Sequence, residues 1–254
     1  MQLTYAGATN VGMKRAHNED AYFLMAEENL YLVADGMGGH SSGEIASQLA
    51  IETIANFFRA TSNDDEVTWP FKMEANRGYD ENRLLTSIKL ANLRIFESAQ
   101  RDPRYKGMGT TVVSTLFSRD GLIISHVGDS RAYLLRNSAL ELLTTDHSLL
   151  NDYIKAKNPT EEEIKNFPHK NVIVRALGMK EVVEVDIIKK DFNPGDIFLL
   201  CSDGLSGMVP DDKLKEIIDK NSNLDRAVEE LIDAANRNGG TDNITVVLVR
   251  VEKE

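Results

Sequence analysis

The chain has 254 residues, 42% of them hydrophobic, and a net charge of −11 from 29 Lys and Arg against 40 Asp and Glu. That is enough for one sizeable core without forcing a second domain. The acidic balance speaks against nucleic acid or an anionic membrane as the main partner, because both need a basic face, and it obliges any anionic substrate to find local positive charge.

Taken in chain order, the start MQLTYAGATN lacks the basic head and apolar centre of a secretion signal. No run approaches the ~20 apolar residues that span a bilayer, so a cytoplasmic protein is expected. Short apolar runs bounded by turn signals recur: 3–8, 22–26, 30–34, 111–117, 122–127, 132–136, 197–201 and 244–251. Several are rich in β-branched and aromatic residues and read as strands. Asp120-Gly121 between two of them is a hairpin signal, and runs joined so tightly pair antiparallel. Helical periodicity marks 43–58 (Ala46, Ala50, Ile54, Phe57 and Phe58 on one face, Ser41 and Ser42 as caps) and 81–99 (Leu84, Ile88, Ala91, Ile95). It returns at 211–219 and 224–236. Residues 60–80 have no clean period and read as a variable loop, which either caps a helix pair or meets a partner. Residues 148–171 read as short-helical and polar, interrupted by Pro159 and Pro168.

Acidic residues recur at the strand ends. Asp35 follows LYLVA, Asp129 follows LIISHVG, Asp203 follows IFLLCS, and Asp242 stands just before ITVVLV. In antiparallel pairs the end of one strand lies beside the start of its neighbour, so four carboxylates can meet at one rim. Their mutual repulsion there calls for a cation, and oxygen-only ligation suits Mg²⁺, Mn²⁺ or Ca²⁺. Gly36 would let the backbone come close to such an ion and offer its carbonyl, with Asp35 giving an oxygen to each of two ions. Against this, Asp-Gly is also a common turn dipeptide. Upstream, GMKRAHNED (12–20) sets Arg15 five residues before Asp20, with Glu19 adjacent. A guanidinium matches two phosphate oxygens, although a lone arginine is commonly a solvated or ion-paired surface group.

Together these residues resemble the PPM family, the metal-dependent type 2C Ser/Thr protein phosphatases, and its bacterial branch in particular. The match runs in order through Arg15 with Asn18-Glu19-Asp20, Asp35-Gly36-Met37-Gly38-Gly39-His40, Gly109-Thr110-Thr111 and Val127-Gly128-Asp129-Ser130-Arg131. It continues through Thr144-Thr145-Asp146-His147-Ser148, Arg175-Ala176-Leu177-Gly178, Ser202-Asp203-Gly204-Leu205 and Gly240-Thr241-Asp242-Asn243-Ile244-Thr245. Each string is weak alone; the ordered set is specific.

The resemblance implies an α+β fold, a four-layer α-β-β-α sandwich of two packed antiparallel sheets flanked by antiparallel helix pairs. It implies one domain over 1–254, with 148–171 as a mobile flap beside the site. It implies a centre of two Mg²⁺ or Mn²⁺ ions bridged by Asp35, the first completed by Asp203 and Asp242, the second bound by the Gly36 carbonyl. Glu19 and Asp20 would act through metal-bound waters, and Asp129 with Asp203 would hold a third, weaker ion. The mechanism expected is direct hydrolysis by a water bridging the ions, in line and without a phosphoenzyme, while Arg15 holds two non-bridging oxygens. Two divalent ions would outweigh the acidic field locally. Animal members carry a histidine two residues after the metal-binding Asp, and here that position is Met37. His40, three residues further on, is a candidate proton donor, with a metal-bound water as its competitor.

Other chemistries fit less well. Cys201 has no Arg five residues later, and IFLLC reads as core. Gly204-Leu205-Ser206-Gly207 lacks the second spacer of a serine-hydrolase elbow, no Gly-Lys-Ser/Thr follows glycines 36–39, and His17, His126, His147 and His169 lack zinc spacing, with His126 a packed strand residue. The leading expectation is a monomeric phosphatase acting on phosphoserine and phosphothreonine proteins and opposing a bacterial Ser/Thr kinase. A non-catalytic phosphoprotein binder and a hydrolase of other phosphoesters are the alternatives.

Overall fold

The structure is a computed structural model that describes residues 2–39, 42–62, 68–169 and 172–252. In chain order the elements are β1 (Leu3–Asn10), β2 (Asp20–Met25), β3 (Leu30–Met37), α1 (Ser42–Thr61), α2 (Tyr79–Arg101), β4 (Gly109–Thr110), β5 (Val112–Ser118) and β6 (Gly121–Val127). They continue with β7 (Arg131–Arg136), β8 (Ala139–Leu142), α3 (Leu149–Lys157), α4 (Glu161–Asn166), β9 (Asp186–Lys190) and β10 (Ile197–Cys201). The chain closes with α5 (Asp203–Ser206), α6 (Asp211–Lys220), α7 (Leu224–Arg237) and β11 (Ile244–Val251).

One sheet runs β1-β11-β10-β7-β8 and the other β2-β3-β5-β6-β9, with β4 attached to β3. All the named pairs are antiparallel. Strand period decides the layering, because successive side chains point to opposite faces. On β3, Leu30, Leu32 and Ala34 pack with the apolar faces of α1 and α2, while Tyr31 and Val33 enter a second core. On β11, Val247, Val249 and Val251 meet them there, and Ile244, Val246 and Leu248 face α6 and α7. The three cores are the three spaces of an α-β-β-α sandwich. Both faces of the central strands are buried, so they read as unbroken apolar runs.

The helices match the periodic segments, extended by a few residues. Trp69 stands edge-on to Phe57 of α1, with ring centroids 5.5 Å apart, and 5.4 Å from Tyr79 of α2. The described part of loop 60–80 thus closes the helix pair. Residues 148–171 hold α3 and α4, which end before Pro159 and Pro168, and Tyr153 stacks on Phe167 across them. Two placements differ from the sequence reading. Asp35 is not beyond its strand: β3 continues to Met37 because Asp20 lies opposite Asp35 on one side and β4 extends the pairing at Gly36 and Met37 on the other. The segments β8 and β9 are also strands, but as sheet edges they lack the buried faces that made the others legible. Among the described residues no helix is long and apolar enough to cross a membrane.

Candidate active site

The loop carrying Arg15 is laid directly on the turn carrying Asp242. Asn243, nearly fully buried, donates its side-chain amide to the carbonyls of Val11 and His17 and accepts the Glu19 N–H on Oδ1. Met13 N–H bonds the Gly240 carbonyl at 2.7 Å. Gly12, at φ +79°, has the Asp242 carbonyl 2.1 Å from where a Cβ would stand, so a side chain there would drive the two loops apart. The outcome is an ion pair of 2.6 Å between Arg15 Nη2 and Asp242 Oδ2. That bond is the main cause raising the Arg15 guanidinium above its ordinary value, and the charges of Glu19 and Asp35 add to it.

Asp35 is held by its backbone. Its N–H donates to Thr111 Oγ1 at 3.0 Å, and its carbonyl accepts Thr111 N–H at 2.8 Å and Thr110 Oγ1 at 2.9 Å. The carboxylate turns instead to Asp203 of the same rim. Gly36 next to it is crowded from the other side: a Cβ would lie 2.1 Å from the Gly43 carbonyl at the start of α1 and 2.5 Å from the Glu19 carbonyl. The missing side chain thus serves close packing of β3 against α1. Glu19 completes that junction, accepting Gly43 N–H on Oε1 at 3.2 Å, an anion at a helix N-terminus.

Asp20 joins the two sheets. Its Oδ2 accepts Thr245 Oγ1 of β11 at 2.6 Å and Ser202 Oγ beyond β10 at 2.8 Å, while its Oδ1 is buried without a partner. Asp129 Oδ1 and Asp203 Oδ1 are likewise buried and unpartnered. An orphaned buried acceptor costs about 1–3 kcal/mol, and more if charged. Burial pushes the Asp20 and Asp129 carboxyls up to about 7. Asp35 is driven well above the usual range, first by burial and then by the charges of Asp20, Asp203, Asp129 and Asp242. Asp203 is raised by burial and Asp242, against a hydrogen bond with Asp35 that lowers it. The five aspartates therefore lie within electrostatic reach of one another at one rim. Oxygen donors with unfilled lone pairs and mutual repulsion fit hard divalent cations.

Beside this rim lies an open cleft of about 490 Å³ whose lining includes Asp129, Asp203, Asp242, Arg131, Asp146 and, from α3, Asn151. Arg131 holds Asp146 through a forked pair of bonds, Nε to Oδ1 at 2.9 Å and Nη2 to Oδ2 at 2.7 Å. His40, the candidate proton donor, lies outside the described residues.

Sequence spacing did not foresee one cluster. His126 and His147 stack with centroids 4.6 Å apart, and with Asp186 they bring three ligand-type atoms within 4.8 Å of one another. A guanidinium already occupies that ground, since Arg175 Nη1 is 2.7 Å from Asp186 Oδ1 and 3.1 Å from His147 Nε2. Burial lowers both imidazoles, His147 to about 4, so they are neutral at neutral pH. Other residues that sequence reasoning left without a task are Thr111, Ser202, Thr245 and Asn243. The available signal was a hydroxyl or amide set within or beside an apolar strand.

Two stacked antiparallel sheets between helix layers, with acids gathered at one shared rim, are the architecture of a metal-dependent hydrolase. Residues 12–248 match the family model described as protein phosphatase 2C, and the chain belongs to that family. It is 37% identical over 248 residues to the serine/threonine phosphatase Stp of Listeria monocytogenes, covering 95% of this chain and 93% of that protein. Its fold matches the Mycobacterium tuberculosis serine/threonine phosphatase PstP/Ppp with a TM-score of 0.84 and 35% identity, over 99% of each chain. It also matches the catalytic domain of PstP in complex with two manganese ions, with a TM-score of 0.79 and 34% identity, again over 99% of each chain. The protein is a metal-dependent serine/threonine protein phosphatase of the type found in bacteria.

Proposed function

We propose that the rim acids hold two Mg²⁺ or Mn²⁺ ions, with Asp35 shared between them, Asp203 and Asp242 on the first, and the Gly36 carbonyl on the second. Glu19 and Asp20 contribute through the water around the ions, and Asp129 with Asp203 takes a third, weaker ion. The observation that carries this reading is the set of three buried, unpartnered carboxylate oxygens on Asp20, Asp129 and Asp203 beside Asp35.

When bound, the ions supply Lewis-acid activation of a water nucleophile and offset negative charge on the phosphoryl group. The chain's own groups do the rest. Arg15, exposed at the lip, gives its fork to two non-bridging phosphate oxygens and so orients the ester. Asp20, with Oδ2 saturated by Thr245 and Ser202, keeps Oδ1 turned to the site as an acceptor. The −11 charge of the chain is thereby answered locally.

In this reading residues 1–254 form one domain acting as a monomer in the cytoplasm, with 148–171 as the flap over the cleft. The substrates are phosphoserine and phosphothreonine proteins, in opposition to a Ser/Thr kinase. Calorimetric titration of EDTA-stripped protein with Mn²⁺ tests the centre: at least two ions bind, Asp35→Asn loses both, and phosphothreonine peptide hydrolysis falls with them. Unchanged ion binding in Asp35→Asn would remove the shared-ligand assignment. A phosphoproteome of a deletion strain tests the kinase relation, with phosphothreonine sites expected to accumulate.

A further inference from the structure

Thr111 and His147 do the same thing to two different strand ends. Thr111 takes both main-chain groups of Asp35, one through its own N–H and one through its hydroxyl. His147 takes both main-chain groups of Gly128: its N–H donates to the Gly128 carbonyl at 2.9 Å, and its Nδ1 accepts the Gly128 N–H at 3.0 Å. Gly128 precedes Asp129 and sits at φ +110°, with Thr111 Cβ only 2.6 Å from where its Cβ would be. On the far side of Asp129, Ser130 Oγ is 2.7 Å from Thr111 Oγ1. The Asp129 turn is therefore pinned before and after the carboxylate, and among the described residues only His147 supplies a ring acceptor to it.

The ring is itself fixed. Nδ1 accepts the Gly128 N–H, so the neutral ring carries its proton on Nε2. That N–H faces Asp186 Oδ2 at 3.4 Å, and Arg175 Nη1, 3.1 Å from the same nitrogen, is a neighbour there and gives its own proton to Asp186. Asp186 is anchored by Arg175, and the other face of the ring lies on His126. Next in the chain, Ser148 bridges to Ile173, and the His147 carbonyl accepts Val174 N–H at 2.9 Å. His147 thus stands at the root of the α3–α4 segment.

We propose that His147 is the positioning residue of the Asp129 turn, setting through Gly128 the place of the carboxylate and hence the affinity of the ion that Asp129 holds. The proposal rests on the reading of Asp129 as a ligand of the weaker ion. It makes the Arg175–Asp186–His147 chain an outer support of that ion site. Outer hydrogen-bond partners of metal ligands typically change affinity by about 10–100-fold when removed.

The test is Mn²⁺ titration by calorimetry, with free Mn²⁺ followed by electron paramagnetic resonance, on four variants. Asparagine places an acceptor where Nδ1 stood; glutamine reaches only toward Nε2; alanine reaches neither. His147→Gln and His147→Ala are expected to weaken the weakest class of Mn²⁺ sites by about 10–100-fold and leave the tighter ions in place, while His147→Asn restores binding. Equal weakening of all classes, or no difference between the Asn and Gln variants, overturns the proposal. Asp129→Ala separates the two readings: if it leaves the weak class intact, Asp129 is not a ligand, whereas loss in Asp129→Ala without loss in His147→Gln sinks the positioning role alone. Should the variants not fold, nitrogen-15 NMR of the unsubstituted protein decides. An unprotonated Nδ1 coupled across the hydrogen bond to the Gly128 amide is expected, and a protonated Nδ1 refutes it.

Discussion

Arg15 and Asp242 form an ion pair across 227 residues of chain, Nη2 to Oδ2 at 2.6 Å, with the arginine side chain 51% exposed. Exposed pairs of this kind contribute only about 0–1 kcal/mol to stability. The loops that bring them together are held elsewhere, by Asn243 and by Met13 on Gly240. Arg15→Ala should therefore leave the melting temperature nearly unchanged. A lost charge-assisted pair to phosphate, at about 1.5–3 kcal/mol, lowers kcat/KM on a phosphothreonine peptide by roughly 10–100-fold. Arg15→Lys keeps the charge without the fork and should recover only part of it. Full activity in the alanine variant would show that the guanidinium does not meet the phosphate.

Glycines 36 and 39 share one short motif and should respond oppositely to substitution. At Gly36 a Cβ would enter the Gly43 and Glu19 carbonyls, both backbone, which cannot rotate away. Gly36→Ala should cost about 1–3 kcal/mol or more, as overpacking does, with a lower melting temperature even before ions are added. At Gly39 a Cβ meets nothing within 4 Å, so Gly39→Ala should fall within about 0.5 kcal/mol of the parent. Thermal melts of the stripped proteins distinguish the two; a neutral Gly36→Ala would mean that α1 is not seated against β3 in this way.

How much of this was legible in the sequence follows from where each residue's partners lie. Residues 30–34 and 244–251 announce strands because both faces are buried, and the acids beside them announce a rim because antiparallel order brings strand ends together. Edge segments such as Ala139–Leu142 carry no such signal, since burial does not impose a pattern on them. Thr111, Ser202, Thr245 and His147 were not legible as supports. Each acts on a group distant in sequence through one hydrogen bond, and only the folded register shows which group that is. The reason for Gly36 also needed the fold, because its crowding comes from α1.

Cys201 offers a test that separates this chemistry from thiol-based phosphate ester hydrolysis. It is fully buried on β10, and burial pushes its thiol up to about 12, so little thiolate exists at neutral pH. Iodoacetamide applied to the native protein should leave both mass and phosphatase activity unchanged, while EDTA removes activity and Mn²⁺ restores it. Stoichiometric inactivation by the alkylating agent would contradict the burial of Cys201 and reopen a role for it.

The carboxylates raised by burial make ion-free stability depend on pH in a predictable direction. Asp20 and Asp129 titrate at about 7 in the folded chain against an ordinary 3.8, so between about pH 4 and 7 the folded state holds protons that the unfolded state has released. Their contribution is complete below about pH 4 and is lost as pH rises through 7. The two buried imidazoles work in the opposite sense, since His126 and His147 are lowered. An unfolded imidazole is half protonated at about pH 6.5, so their opposing contribution fades over roughly pH 6.5 to 7.5 and stays smaller than that of the raised carboxylates across about pH 6.5 to 8. Each carboxylate contributes about 1 kcal/mol per pH unit at the low end of that interval and almost none by about pH 8, and for a chain of this size each kcal/mol moves the melting temperature by about 2–4 °C. The EDTA-stripped protein should therefore melt at lower temperature as pH rises across this interval. Saturating Mn²⁺ needs the carboxylates deprotonated, so it should flatten or reverse that slope and raise the melting temperature most at the alkaline end. A stripped protein whose melting temperature rises with pH there would mean that these acids are not buried together without a cation.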